Sequence, residues 1–119
     1  MKTVNKPWGS FTVIKEPHNV DDRTKVCLKK LLIAPGQSLS LQSHEYREEF
    51  WYILQGIGRV ELSNRSFEVV HGNFVNIRVG RRHRLSNKND TMLVVIEMSI
   101  GPKIDENDIK RYKDQYGRI

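Results

Sequence analysis

Gln42, His44, Glu49 and His83 are the side chains in this sequence whose types and spacing could do chemistry together. Gln42 and His44 stand two apart in Leu39 to Gly56, LSLQSHEYREEFWYILQG, a stretch that otherwise reads as strand. Residues i and i+2 of a strand share a face, so these two point the same way. Glu49 opens the next apolar run, on one face with Trp51 and Ile53. A turn over residues 45–48 would fold its carboxylate against Gln42 and His44. His83 follows Gly80 at the head of the run HRLSN. One amide oxygen, two imidazoles and one carboxylate suit a divalent transition metal, with a position left for water or substrate. A bound cation would also explain why a strand region tolerates groups that are costly to bury. The neighbouring Glu48 reads as a solvated turn residue.

The elements that must position these groups are short β-runs. From Lys25 to Ile100 they read VCLKKLLI, SLSLQSH, EFWYIL, GRVEL, SFEVV, FVNIRV, HRLS and TMLVVIEMSI, separated by turn residues such as Pro35-Gly36, Ser63-Asn64-Arg65 and His71-Gly72-Asn73. Many short strands at regular spacing predict an all-β sandwich or barrel. The tail predicts a short helix over 105–118: Asp105 can cap it, Glu106 and Asp108 suit its first turn, and Gly117 follows it. The 119 residues suffice for one domain, 1–119, with its core in about 25–100.

Composition narrows the function classes. The single cysteine, Cys27, excludes an internal disulfide and fits a reducing cytosol. No apolar run approaches the ~20 residues of a spanning helix, and MKTVNKPWGS lacks a signal-peptide core, so a cytoplasmic protein without membrane contact is expected. The net charge of +6 favours anionic partners. The basic residues cluster only at Lys29-Lys30 and around His83, without the aromatic interleaving of a nucleic-acid groove, so nucleic acid is not the expected partner. One of Lys29 and Lys30 must face inward if their strand alternates.

The spacing supports a family resemblance. The first segment runs Gly36, five residues, Gln42, one, His44, four, Glu49, six, Gly56. The second runs Gly72, five residues, Arg78, one, Gly80, two, His83, three, Asn87. These resemble the two cupin motifs, with Gln42 where histidine is usual and Arg78 where proline is usual. Glutamine in that first position resembles phosphomannose isomerases, whose zinc is held by Gln, His, Glu and His. LysProTrpGly at Lys6 to Gly9, the run Pro35 to Gln42, HisArgLeuSerAsn at His83 to Asn87 and the tail from Asp105 to Arg118 resemble type II mannose-6-phosphate isomerase. That domain is commonly the C-terminal part of a bifunctional mannose-1-phosphate guanylyltransferase. The chain departs from the family at Glu45, Tyr46 and Phe50, where further histidines are usual.

The resemblance implies a cupin-type antiparallel β-barrel holding a divalent ion on Gln42, His44, Glu49 and His83. Zinc leads, ahead of manganese, cobalt, nickel or iron. It implies interconversion of mannose 6-phosphate and fructose 6-phosphate through an enediolate, in the service of GDP-mannose synthesis. The alternative is a non-catalytic cupin module that binds a sugar phosphate or related metabolite. The group that takes the proton stays open, with Lys29, Glu61 and a metal-bound hydroxide as candidates. Lys30, Arg78, Arg82 and Arg84 are the candidates for the substrate phosphate. A homodimer is expected, and a guanylyltransferase on a separate chain is admitted as a partner.

Overall fold

The computed structural model describes residues 1–119 and contains eleven strands and no α-helix. The strands are β1 (Lys2–Lys6), β2 (Gly9–Asn19), β3 (Lys25–Ile33), β4 (Leu41–Ser43), β5 (Glu48–Gln55), β6 (Ile57–Leu62), β7 (Arg65–Val70), β8 (Phe74–Ile77), β9 (His83–Ser86), β10 (Leu93–Gly101) and β11 (Lys110–Lys113). They form two antiparallel sheets, in the orders β1-β2-β3-β10-β5-β8 and β11-β4-β9-β6-β7. The all-β expectation therefore holds.

Period-2 patterning builds the interior. On β5, Glu49, Trp51 and Ile53 are buried while Phe50, Tyr52 and Leu54 face outward. On β3, Cys27, Leu31 and Ile33 are buried and Lys29 lies on the same alternation, which turns Lys30 outward. These side chains join Leu93 and Val95 of β10 and Val60, Val69 and Leu85 of the second sheet in one core cluster. Fully burying each large apolar side chain contributes about 1.5–3 kcal/mol. Trp8 is part of that core, and its carbonyl accepts the Ala34 amide, which fastens the N-terminal segment to the barrel. Gly56, at φ +91°, makes the bend from β5 to β6; a Cβ there would lie 2.6 Å from the Met92 carbonyl oxygen.

The tail is where the sequence expectation is overturned. Residues 105–118 form no helix. The Asp105 carboxylate accepts the Asn107 amide at 2.9 Å and its carbonyl accepts the Asp108 amide at 3.0 Å, but this is a single turn. The chain then extends as β11 along β4, pairing Lys110 with Ser43, Arg111 with Gln42 and Lys113 with Leu41. A helix this short is marginal in water, whereas the free edge of β4 offers hydrogen bonds. Tyr112 adds a bond of 2.9 Å between its hydroxyl and Ser43 Oγ. The tail is thus an added strand lying beside the site.

Candidate metal centre

His44, Glu49 and His83 come from different elements and meet in the interior. Glu49 heads the inward face of β5, His83 opens β9, and His44 follows β4. Gly80, at φ +80°, turns the chain ahead of β9, and its amide donates to the His44 carbonyl at 2.9 Å, which ties the two segments together. His44 Nε2 lies 3.3 Å from Glu49 Oε2, and His83 Nε2 lies 3.7 Å from Glu49 Oε1. One potential ligand atom from each residue falls within 4.8 Å of the others. Donors separated by about 3–4 Å are what bonds of about 2.0–2.2 Å to one centre require. Exposure of the three residues is 3%, 1% and 1%.

The tautomers are set for ligation. His44 Nδ1 donates to the Asp108 carbonyl at 2.7 Å, and His83 Nδ1 donates to the Arg81 carbonyl at 2.9 Å. Each Nε2 is then the acceptor nitrogen of its ring; that of His44 faces Arg47 Nη2 at 3.4 Å. His83 Nε2 is buried with no hydrogen-bond partner, and a cation is the partner that would satisfy it. The residues present therefore fit a divalent ion. Gln42 pairs directly with His83 across β4 and β9, so the two share a face. Its Oε1 accepts the Ser40 hydroxyl at 2.7 Å and keeps a second lone pair.

Charge is arranged around these groups. Burial would push the Glu49 carboxyl up, but His44, His83 and Arg47 outweigh it and hold the group at about 2. Burial drives the His44 imidazole below its ordinary value, against the pull of Glu49. Arg47 donates from Nε to Glu49 Oε2 at 3.1 Å, from Nη1 to the Asp105 carbonyl at 3.0 Å and from Nη2 to His44 Nε2 at 3.4 Å. Trp51 closes another side, its indole donating to Glu49 Oε1 at 3.3 Å and its ring standing edge-on to His83.

A cavity of about 320 Å³ opens against Gln42, Arg47 and Glu49. Glu97 and Lys29 line it from neighbouring strands, at registered positions of β10 and β3. Glu97 is pushed up to about 8, chiefly by burial and then by the charge of Glu49, with Lys29 and Arg47 opposing. Burial pulls Lys29 down, yet Glu97 and Glu106 carry it above its ordinary value. Lys29 Nζ lies 2.6 Å from Glu106 Oε1. A larger cavity of about 470 Å³ lies beside the tail and touches His44, whereas the smaller one touches Gln42 and Glu49; His83 lines neither.

The other residues singled out in the sequence divide by location. Lys29 lines the cavity, whereas Lys30 is exposed. Arg78 is exposed in the turn after β8. Arg82 is exposed and stacks on the Tyr112 ring, 3.9 Å from its centroid. Arg84 and Glu61 pair with each other at 2.6 Å, on the alternation opposite His83 and Leu85. None of these five borders the cavity. Glu48 accepts from Asn76 Nδ2 and stands outside the cluster. Sequence reasoning missed Arg47, Glu97, Asp108 and Arg111. Glu97 did leave a signal: it is the one charged residue in the apolar run TMLVVIEMSI.

A family model described as mannose-6-phosphate isomerase C-terminal matches residues 1–114. The chain is 32% identical over 117 residues to a mannose-1-phosphate guanylyltransferase of Klebsiella pneumoniae, covering 98% of this chain and 24% of that protein. It is 33% identical over 115 residues to the alginate biosynthesis protein AlgA of Pseudomonas aeruginosa, covering 97% and 23%. It thus spans about a quarter of the length of these relatives. Among solved structures, the capsular polysaccharide assembling protein CapF of Staphylococcus aureus aligns with a TM-score of 0.72 at 23% identity, covering 95% of this chain and 32% of that one. A cupin-2 domain protein from Rhodospirillum rubrum aligns with a TM-score of 0.67 at 16% identity, covering 88% and 66%. These two likenesses speak to the fold, a cupin-type double-layered barrel.

Proposed function

The chain belongs to the mannose-6-phosphate isomerase C-terminal family, and from that premise we propose that it is a metal-dependent isomerase interconverting mannose 6-phosphate and fructose 6-phosphate. The observation that carries this reading is the convergence of two Nδ1-anchored imidazoles on the Glu49 carboxylate, with His83 Nε2 buried and unpartnered. His44, Glu49 and His83 would hold the ion, with the Gln42 amide oxygen as the fourth protein ligand; zinc is the proposed metal.

In the reaction a proton leaves C2 of the aldose and returns to C1, while the hydroxyl proton of O2 passes to O1. The enediolate between the two sugars carries negative charge. A bound divalent ion supplies Lewis-acid polarisation of the carbonyl and stabilisation of that charge. The chain supplies the rest. Glu97 is the buried carboxyl that lines the cavity without being one of the proposed metal ligands, and it is the proposed carrier of the C1/C2 proton. Lys29, opposite Glu97 across β3 and β10, lends the positive charge that keeps the carboxylate form accessible. Trp51 and the core behind it exclude water on the side away from the opening.

A coupled assay for mannose 6-phosphate and fructose 6-phosphate tests this reading. Chelator-stripped protein should be inactive and zinc should restore turnover. A metal-loaded chain that binds the sugar phosphate and never converts it would establish the metabolite-binding alternative instead. We also propose, by family analogy, that two copies pair. A sedimentation mass near the 13.9 kDa of one chain at micromolar concentration would overturn that.

A further inference from the structure

We propose that Arg111, on the tail strand, is the residue that recognises the phosphate of the substrate, making β11 the wall of an anion subsite. Its position follows from two registered pairs. Arg111 stands directly opposite Gln42 on β4, and Gln42 stands directly opposite His83 on β9. Directly opposed residues of antiparallel strands share a face, so the three form one row across neighbouring strands. The row begins at the metal centre and ends at a guanidinium on the cavity wall. A hexose 6-phosphate has the same polarity, with its reacting carbons at one end and its phosphate at the other.

The charges around the cavity single out Arg111. Five cations line it against three carboxylates, Glu49, Glu97 and Glu106. Lys29 is held by Glu106 at 2.6 Å, Arg47 by Glu49 at 3.1 Å and Arg118 by Asp114 at 2.8 Å. Lys6 lies over the Phe11 ring, 5.8 Å from its centroid. Arg111 enters none of the molecule's ion pairs, and its Nε is buried with no hydrogen-bond partner. A buried Nε without a partner is costly, and the forked donors of a guanidinium match phosphate oxygens. The register between β4 and β11 slips immediately after Arg111, and such bulges re-aim side chains beside active sites.

The identity of the substrate rests on the isomerase reading, whereas the capture of an anion does not, and the experiment separates the two. Mannose 6-phosphate, mannose and inorganic phosphate are titrated calorimetrically into zinc-loaded wild type, Arg111→Gln and Arg111→Lys, with KM and kcat measured alongside. The wild type should bind mannose 6-phosphate at least tenfold more tightly than mannose. Arg111→Gln should lose roughly tenfold to a hundredfold in that affinity, as loss of a charge-assisted bond implies, and should bind mannose unchanged. The loss should fall on KM rather than kcat. Arg111→Lys should recover part of it, and zinc affinity should be the same in all three, which separates a lost anion contact from a damaged fold. Undiminished binding of mannose 6-phosphate by Arg111→Gln, or equal binding of mannose and mannose 6-phosphate by the wild type, would overturn the proposal. Preserved phosphate discrimination without turnover would sink the isomerase reading and leave the subsite standing.

Discussion

Two adjacent glutamates in one short stretch meet opposite fates. Glu48 accepts from Asn76 at the surface, while Glu49, on the other face of β5, is buried against two imidazoles and a guanidinium. Glu48→Ala should therefore leave zinc affinity unchanged, and Glu49→Gln should weaken it by orders of magnitude, as equilibrium dialysis would show. Glu97 gives a prediction with a pH signature. Its folded-state value of about 8 lies above its ordinary 4.5 because burial and Glu49 outweigh Lys29 and Arg47, with Glu106 adding slightly to the rise. A raised value stabilises the fold below pH 4.5, and that contribution is lost as pH climbs toward about 8. In chelator-treated protein, the stability of wild type relative to Glu97→Gln should thus fall between pH 5 and pH 8.5, measured by urea denaturation. A difference that stays constant would show that Glu97 is not buried as described. With metal bound, Glu97→Gln should retain zinc and lose isomerisation if it carries the proton.

At the scale of elements, the tail buttresses the centre. The Asp108 carbonyl takes the His44 Nδ1 proton, and its carboxylate accepts the Glu45 amide at 2.8 Å and the Tyr46 amide at 3.0 Å. One residue clamps the loop that carries a ligand. Asp108→Ala should raise the zinc dissociation constant about tenfold to a hundredfold, the usual effect of losing such support. Calorimetry would check it, and an unchanged constant would show that the Asp108 carboxylate, as distinct from its carbonyl, does not help to position His44. The same element marks what the sequence made legible. The inward alternation of Glu49, Trp51 and Ile53 and the turn residues between runs were readable, because local pattern decides them. The tail was misread because Asp105, Glu106 and Gly117 are good helix punctuation locally, while the edge of β4 that captures residues 110–113 is remote in sequence. The spacing of Gln42, His44, Glu49 and His83 was legible as a pattern. The surroundings were not: Arg84 looked well placed beside His83, yet alternation sends it to the other face and Glu61 holds it there. Arg84→Ala should accordingly leave affinity for mannose 6-phosphate unchanged, a result that titration against Arg111→Gln would bring out.

At the scale of the molecule, two antiparallel sheets provide an apolar enclosure in which three polar side chains are held 1–3% exposed. The imidazoles and the carboxylate bind an ion only when the sheets bring β5, β9 and the end of β4 together, so an ion must stabilise the folded state in proportion to its affinity. Zinc should raise the melting temperature of the wild type and leave that of His83→Ala nearly unmoved. The most direct test is metal stoichiometry by elemental analysis after zinc loading and exhaustive dialysis, on wild type and His83→Ala side by side. The expected result is one ion per chain in the wild type and close to none in the variant. A wild type that retains no ion, or a variant that retains as much, would contradict the convergence of His44, Glu49 and His83 on a single metal.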